Sequence, residues 1–381
     1  MRKQVAIVGG GIVGASIAYN LAAKGVKEVV LLEKASKFGT GTTSASLGGF
    51  RHQFSNELSI KLSKESIKII ENFESLTGYD PLATRDGYLF IASTEKSLAQ
   101  LKKNRELAFA QDVPVNFLEH DELKSSFPFY NFERILGGTF CAIDGHASTL
   151  AVLQGFVSKA RELGADLRVN EEVTHIEKSG ENITVRTTSG EISADKVVIA
   201  AGAYSGLVGK IASVSIPIEP YPRKILITHS FVGKGIPDMI PLIIDVDSTL
   251  GVGREGKGIL MADNGPNHSS FELVFPPDYD ERVVSLALKR IPVLKEASIA
   301  YSDQGLYEMT PDANPIVSEI PEVPGLYCCA GFAGHGFMHS PIIGLLMSEI
   351  LTGSKPHIDI SAFDIERFRR NKEGSKEGLI I

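Results

Sequence analysis

Tryptophan is absent from the 381 residues, and cysteine occurs only at Cys141, Cys328 and Cys329. None of these forms a Cys-x-x-Cys pair or a Cys/His metal spacing, and adjacent cysteines rarely bridge, so neither a disulfide framework nor a metal site is expected. Such usage fits a reduced, cytoplasmic protein. No window holds the roughly 18 uninterrupted apolar residues of a membrane helix. The apolar run 5–8 is cut by three glycines, too soon for a signal-peptide core. An excess of positive charge is missing as well: Lys+Arg is 39 against Asp+Glu 46, net -7, which argues against nucleic acid as a partner.

What is present is glycine, 37 residues, above the usual share of about 7%. Hydrophobic residues at 43% and charged residues at 22% exclude a disordered chain. The length suggests about two domains.

The first 33 residues carry the clearest pattern. Residues 5–8 are a β-branched run and read as a buried parallel strand. Gly9-Gly10-Gly11-Ile12-Val13-Gly14 follows, then a helical spacing that stops at Gly25, then a second apolar strand ending at Glu33 and Lys34. This is a βαβ dinucleotide fingerprint in its proper context. Gly9 permits the tight turn, Gly11 lets backbone approach a pyrophosphate, and Gly14 lets helix and strand pack. The helix N-terminus offers unpaired N–H groups to phosphates. Glu33 stands where a carboxylate binds ribose hydroxyls and repels a 2′-phosphate. The pattern alone does not separate NAD from FAD.

Gly251-Val252-Gly253-Arg254-Glu255-Gly256 repeats the glycine spacing. Strand and turn follow it instead of a helix, so it reads as a β-hairpin with no phosphate site.

Between these points, Gly39 to Gly49 is a run of small and hydroxyl residues suited to a backbone lying along a ligand. Helices are predicted over 57–76, 97–110 and 150–163. Strands are predicted over 85–92, 114–118, 166–168, 173–177, 183–187 and 196–200. From 214 to 299 the pattern is strand and turn, with strands at 224–228, 242–246, 259–262 and 271–275 and one helix at Tyr279–Arg290. The charged tail from 369 onward is expected to fray.

Specificity comes near the end, in Thr310-Pro311-Asp312-Ala313-Asn314-Pro315-Ile316 and Gly331-Phe332-Ala333-Gly334-His335-Gly336-Phe337-Met338. With the N-terminal fingerprint and Ala200-Ala201-Gly202-Ala203, the chain resembles the D-amino-acid oxidase superfamily of flavoproteins over nearly its whole length. Sarcosine oxidases, dye-linked proline dehydrogenases and glycine oxidases are the nearer members.

The resemblance implies an α/β fold: a Rossmann-like FAD-binding domain from 1–82, 146–214 and 325–381, interleaved with an antiparallel-sheet substrate domain from 83–145 and 215–324. It places Gly9, Gly11, Ile12, Val13, Gly14, Glu33 and Lys34 on the ADP half of FAD. Thr42, Thr43 and Ser44 would touch phosphates and ribityl, and Gly48 and Gly49 would pass near the flavin ring. Val173 would meet adenine through its backbone, and Ala201 and Gly202 would lie near the pyrophosphate. Gly331 and Gly334 to Met338 would bring a helix N-terminus to the flavin N1–C2=O region. Arg51 takes the place of an arginine that clamps the substrate carboxylate, Arg254 is a second candidate, and His335 a candidate for tuning flavin or amine.

Three departures matter. Gly305 stands where sarcosine oxidases carry a flavin-attaching cysteine, so FAD is expected to be non-covalent. Leu260 stands near their oxygen-activating lysine, which favours a dehydrogenase. Met338 replaces a second carboxylate-binding lysine. The implied function is oxidation of a small amine or amino acid, such as sarcosine or proline, to the imine by hydride-equivalent transfer to flavin N5. A 2-hydroxy-acid dehydrogenase and an electron-transferring subunit of a hetero-oligomeric dehydrogenase remain alternatives. The electron acceptor is open, as is assembly as a homo-oligomer or with other subunits.

Overall fold

The computed structural model describes residues 2–370 and 377–378. Among these, two eight-stranded sheets dominate. The first has the order Ile316–Glu319, Leu326–Ala330, Gly190–Ile199, Arg2–Val8, Val29–Leu32, Asp166–Arg168, with Asn182–Thr187 and Val173–Ser179 folded back antiparallel from Gly190–Ile199. Arg2–Val8 lies parallel to both neighbours, Val5 opposite Lys196 and Val29. Val29–Leu32 is buried throughout, as a strand covered on both faces must be.

Helices cover this sheet. Ile12–Ala23 packs so closely on the Gly336–Leu351 helix that a Cβ on Gly344 would stand 2.1 Å from Ser16 Oγ. Gly336–Leu351 contains Pro341, which has no N–H for the Phe337 carbonyl. Ser340 Oγ donates to that carbonyl instead, at 2.9 Å.

The second sheet runs Ile299–Met309, Glu219–Thr228, Gly258–Ala262, Gly251–Glu255, Leu242–Asp245, Tyr88–Ala92, Gly137–Cys141, Asn116–Glu119. It is antiparallel except where Leu242–Asp245 meets Tyr88–Ala92. Gly251–Glu255 and Gly258–Ala262 form the expected hairpin. Ile236, Ile243, Val252, Ile259, Met261 and Tyr279 fill its outer core.

Some expectations need correction. The helix over 57–76 is two helices, Glu57–Glu71 and Phe73–Thr77, broken at Asn72 (φ -100°, ψ 10°). Residues 271–275 form no strand. Ser270 N reaches the Pro220 carbonyl, on the side of Glu219–Thr228 where only 225–227 are paired, but 271–275 carries no ladder on from that single bond. The longest strand, Ile299–Met309, was not anticipated. Ile316–Glu319, which the expected division puts in the substrate part, pairs with Leu326–Ala330 in the first sheet. Of the tail expected to fray, 371–376 and 379–381 lie outside the described residues. Glu377 is anchored instead, its carboxylate accepting from Asn56 Nδ2 at 2.8 Å and from Ser55 N at 3.3 Å. Among the described residues, no helix is long and apolar enough to cross a membrane.

Candidate active site

A cavity of about 710 Å³ runs from the carboxyl edge of the first sheet to the inner face of the second. That is the position and size of a site for a large organic ligand.

At one end the glycine turn meets the Ile12–Ala23 helix. Gly9 has φ +115°, and a Cβ there would stand 2.4 Å from the Ala200 carbonyl oxygen; only glycine meets both demands. Gly11 caps the helix without a side-chain bond, and no acid sits in the first turn. The positive end of the helix therefore faces the cavity. Thr43 Oγ1 accepts from Ile12 N at 3.1 Å, and Thr42 Oγ1 donates to the Leu306 carbonyl at 2.7 Å, tying the hydroxyl-rich loop to both sheets. Glu33 takes Gly10 N on one oxygen and Ala35 N on the other, each at 2.8 Å, and so points into the cavity as an oriented acceptor.

Gly9, Gly11, Ile12, Val13, Glu33, Lys34, Thr42, Thr43, Gly49, Val173, Ala201, Gly202, Gly334, His335, Gly336, Phe337 and Met338 share the cavity wall. Gly14 lies behind it, where a Cβ would stand 2.0 Å from the Gly9 carbonyl oxygen; its role is packing. Gly48 (φ +70°) and Gly331 (φ +87°) shape their turns from outside the wall. Ser44 bonds the Gly41 carbonyl and stays off the wall. Gly305 is on the wall. Cys329, the cysteine among the lining residues, is 1% exposed, and burial holds its thiol well above the ordinary range.

At the other end stands Arg51, 3% exposed. Its guanidinium lies over the rings of Phe54 and Phe90, 4.8 and 5.1 Å from their centroids. Nη2 is 2.8 Å from His335 Nε2. Arginine only donates, so Nε2 accepts and His335 is the neutral Nδ1–H tautomer. Asp144 fixes the next residue twice, accepting His52 N at 2.9 Å and His52 Nδ1 at 2.7 Å. Burial lowers the Arg51 pKa, opposed by the charges of Glu377 and Asp144. Tyr88 and Tyr307 line the same end, with Leu242, Ile244 and Leu260.

Arg254 is a correction. Its five N–H groups go to backbone carbonyls of Pro237, Phe231, Lys257 and Ile236 at 2.7–3.3 Å. It staples the hairpin to the 231–237 loop and is not on the main cavity wall. No donor is left for a substrate.

Residues not anticipated are Tyr88, Arg223, Tyr307 and Glu308, all on the wall. Tyr307 and Glu308 fall in the segment read only for a missing cysteine, and Arg223 sits among prolines that read as turn. Glu308 Oε2 accepts from Gly331 N at 3.0 Å. It lines the cavity, and burial raises its carboxyl to about 7, against the pull of the Gly331 and Phe332 N–H groups.

A helix N-terminus with an oriented carboxylate at one end, and a covered apolar chamber at the other, is the layout of a dinucleotide-dependent oxidoreductase. The chain belongs to the FAD dependent oxidoreductase family (DAO), whose sequence model matches residues 4–350. It is 27% identical over 392 residues to 4-methylaminobutanoate oxidase (formaldehyde-forming) of Paenarthrobacter nicotinovorans, covering 98% of this chain and 47% of that protein. It is 27% identical over 391 residues to mitochondrial dimethylglycine dehydrogenase of Homo sapiens, covering 96% and 44%. The chain thus spans about half the length of these relatives. Among solved structures it is similar to L-proline dehydrogenase from P. horikoshii, with TM-score 0.89 and 29% identity over 97% of this chain and 98% of that one. Glycine oxidase from Geobacillus kaustophilus gives 0.86 and 25% over 96% and 99%.

The residues fit the family's cofactor. The glycine turn leaves room for a pyrophosphate at a helix N-terminus, and Glu33 is oriented as a ribose acceptor. The chain is thus a member of an FAD-dependent oxidoreductase family, and Gly305 on the wall offers the flavin no thiol at that position.

Proposed function

We propose that this chain oxidises a small, secondary amine or amino acid, of the kind represented by sarcosine and proline, to the imine. The observation that carries this is Arg51: a buried guanidinium, held in one orientation, on the wall of a chamber that Leu242, Ile244 and Leu260 also line. A planar fork so placed suits a carboxylate. FAD, when bound, supplies the acceptor for a hydride equivalent from the C–H bond beside nitrogen.

The protein's own part is binding and exclusion. Arg51 holds the substrate carboxylate and thereby sets which C–H faces the cofactor. His335 acts through Arg51 as a positioning residue, because its Nε2 is directed at Nη2 and not at the substrate. Asp144 does the same through the backbone of His52. Leu242, Ile244 and Leu260 keep water from the reacting carbon, so the amine binds deprotonated and needs no side-chain base. The imine hydrolyses after release.

Leu260 also favours a dehydrogenase over an oxidase. It puts an apolar wall where a cation would stabilise developing superoxide. The wall lysine Lys224 is paired with Asp280 at 2.6 Å.

Anaerobic mixing with sarcosine, L-proline, D-amino acids, glycine and 2-hydroxy acids tests the substrate class. Bleaching of the flavin by amines is expected, and bleaching by hydroxy acids alone would reverse it. Reduced enzyme should return its electrons faster to an artificial dye than to oxygen. Acid precipitation should leave all FAD in the supernatant.

A further inference from the structure

Arg223 has no part in the scheme above, and its situation is costly unless a ligand relieves it. It lies on Glu219–Thr228, with Gly305 of the neighbouring strand opposite it in register. Its guanidinium carbon is 4.9 Å from the centroid of the Tyr307 ring, and it lines the same cavity as Arg51. Nη1 donates to the carbonyls of Pro222, at 2.8 Å, and Pro266, at 3.4 Å. Nε is buried with no hydrogen-bond partner. Among the described residues Arg223 makes no ion pair, while the nearby carboxylate, Asp263, is already engaged by Arg282.

Burial lowers the Arg223 pKa, and burial raises that of Tyr307 against the opposing pull of Arg223 and Arg51. Tyr307 therefore lies within the fields of both cations. A half-buried guanidinium whose Nε–H is buried without a partner, and which makes no ion pair among the described residues, is suited to receive an anion. Arg223 lies over Tyr307, the ring whose electrostatics Arg51 also governs, so both guanidinium groups act at the same end of the cavity. An acidic group carried by a substrate held there would meet the unpaired Nε.

We propose that Arg223 receives a second acidic group of the substrate, so that this enzyme prefers amino acids with two carboxylates, of the N-alkylated aspartate or iminodiacetate class. This rests on the amine-oxidising reading of the same site, with Arg51 on the carboxylate next to the reacting carbon. Arg223 then selects substrates by their far end and takes no part in bond breaking.

The test uses the FAD-loaded enzyme. Anaerobic flavin reduction is titrated with N-methylaspartate and iminodiacetate on one side, and sarcosine and L-proline on the other. Binding without turnover is read from the flavin spectrum with thiodiacetate and methylthioacetate, in which sulfur replaces the amine. Wild type should respond to the dicarboxylates at concentrations at least tenfold lower. Arg223→Gln should raise the concentrations needed for dicarboxylates tenfold or more, and change those for monocarboxylates less than twofold. Arg223→Lys should recover part of the difference.

Equal losses for both classes would put Arg223 on the same carboxylate as Arg51 and overturn the proposal. So would a wild type without preference for dicarboxylates. If no amine of either class reduces the flavin, the amine-oxidising reading falls too, an outcome distinct from monocarboxylates alone succeeding. Should Arg223→Gln lose its FAD, the wild-type preference and Arg223→Lys decide.

Discussion

Arg51 is useful because its neighbours leave it little freedom. Two aromatic rings flank the guanidinium, His335 accepts from one end of the fork, and Asp144 pins the following residue. A preorganised cation in a low-dielectric chamber binds carboxylate more strongly than a mobile one in water. Arg51→Ala should therefore raise KM for an amino-acid substrate about 100-fold, the equivalent of roughly 3 kcal/mol, with FAD content unchanged. Steady-state kinetics on the FAD-loaded variant checks this, and unaltered KM would remove Arg51 from the site. Glu308 makes a pH prediction. Burial raises its carboxyl from 4.5 to about 7. The folded state thus binds the proton more tightly than the unfolded one. The stabilisation from the protonated form is complete below about 4.5 and is lost as pH rises through about 7. Urea midpoints of wild type should fall relative to Glu308→Gln across that window, and parallel curves would refute it.

At the scale of elements, the glycine turn joins local geometry to tertiary packing. Gly14 never touches the cavity, yet a methyl there would stand 2.0 Å from the Gly9 carbonyl and push the helix off its strand. Gly14→Ala should cost about 1–3 kcal/mol of stability and weaken FAD binding more than tenfold, read by thermal melting and by FAD titration of the apoprotein. The spacing of Gly9, Gly11 and Gly14 makes this turn legible in the sequence, because a strand, a turn and a helix of one βαβ unit lie within 33 consecutive residues. The second glycine run was equally legible as a hairpin: no helix follows Gly256, and Gly251–Glu255 does turn back onto Gly258–Ala262. Strands with remote partners were harder. Ile299–Met309 is largely exposed and irregular in its apolar pattern, and it is a strand because Glu219–Thr228 pairs along its length.

At the scale of the whole molecule, the two sheets share one chain that crosses between them repeatedly. Arg2–Val8 finds its partner in Gly190–Ile199, and that strand in turn meets Leu326–Ala330. A fragment of residues 1–150 should accordingly lack stable structure by circular dichroism and bind no FAD; a cooperative melt from it would show that the first sheet does not need its distant strands.

The βαβ turn, the acid that follows it and the glycine-rich entry to the last helix were settled by the sequence alone, because each depends on residues close together along the chain. Arg51 was singled out there too, through the resemblance of its surroundings, and its proposed role awaits the kinetics above. Tertiary structure decided the chamber's electrostatics. Arg254 and Arg223 look alike as arginines in β-rich segments. Only folding shows that carbonyls of the 231–237 loop and Lys257 consume every donor of Arg254, while Arg223 faces the cavity beside Tyr307 with Nε unbonded. The same holds for Glu308, whose carboxyl is raised by burial in a place assembled from the Gly202 turn, the 331–332 loop and the Gly336–Leu351 helix. Hydrogen-bond partners and desolvation belong to the assembled molecule, and no spacing along the chain encodes them.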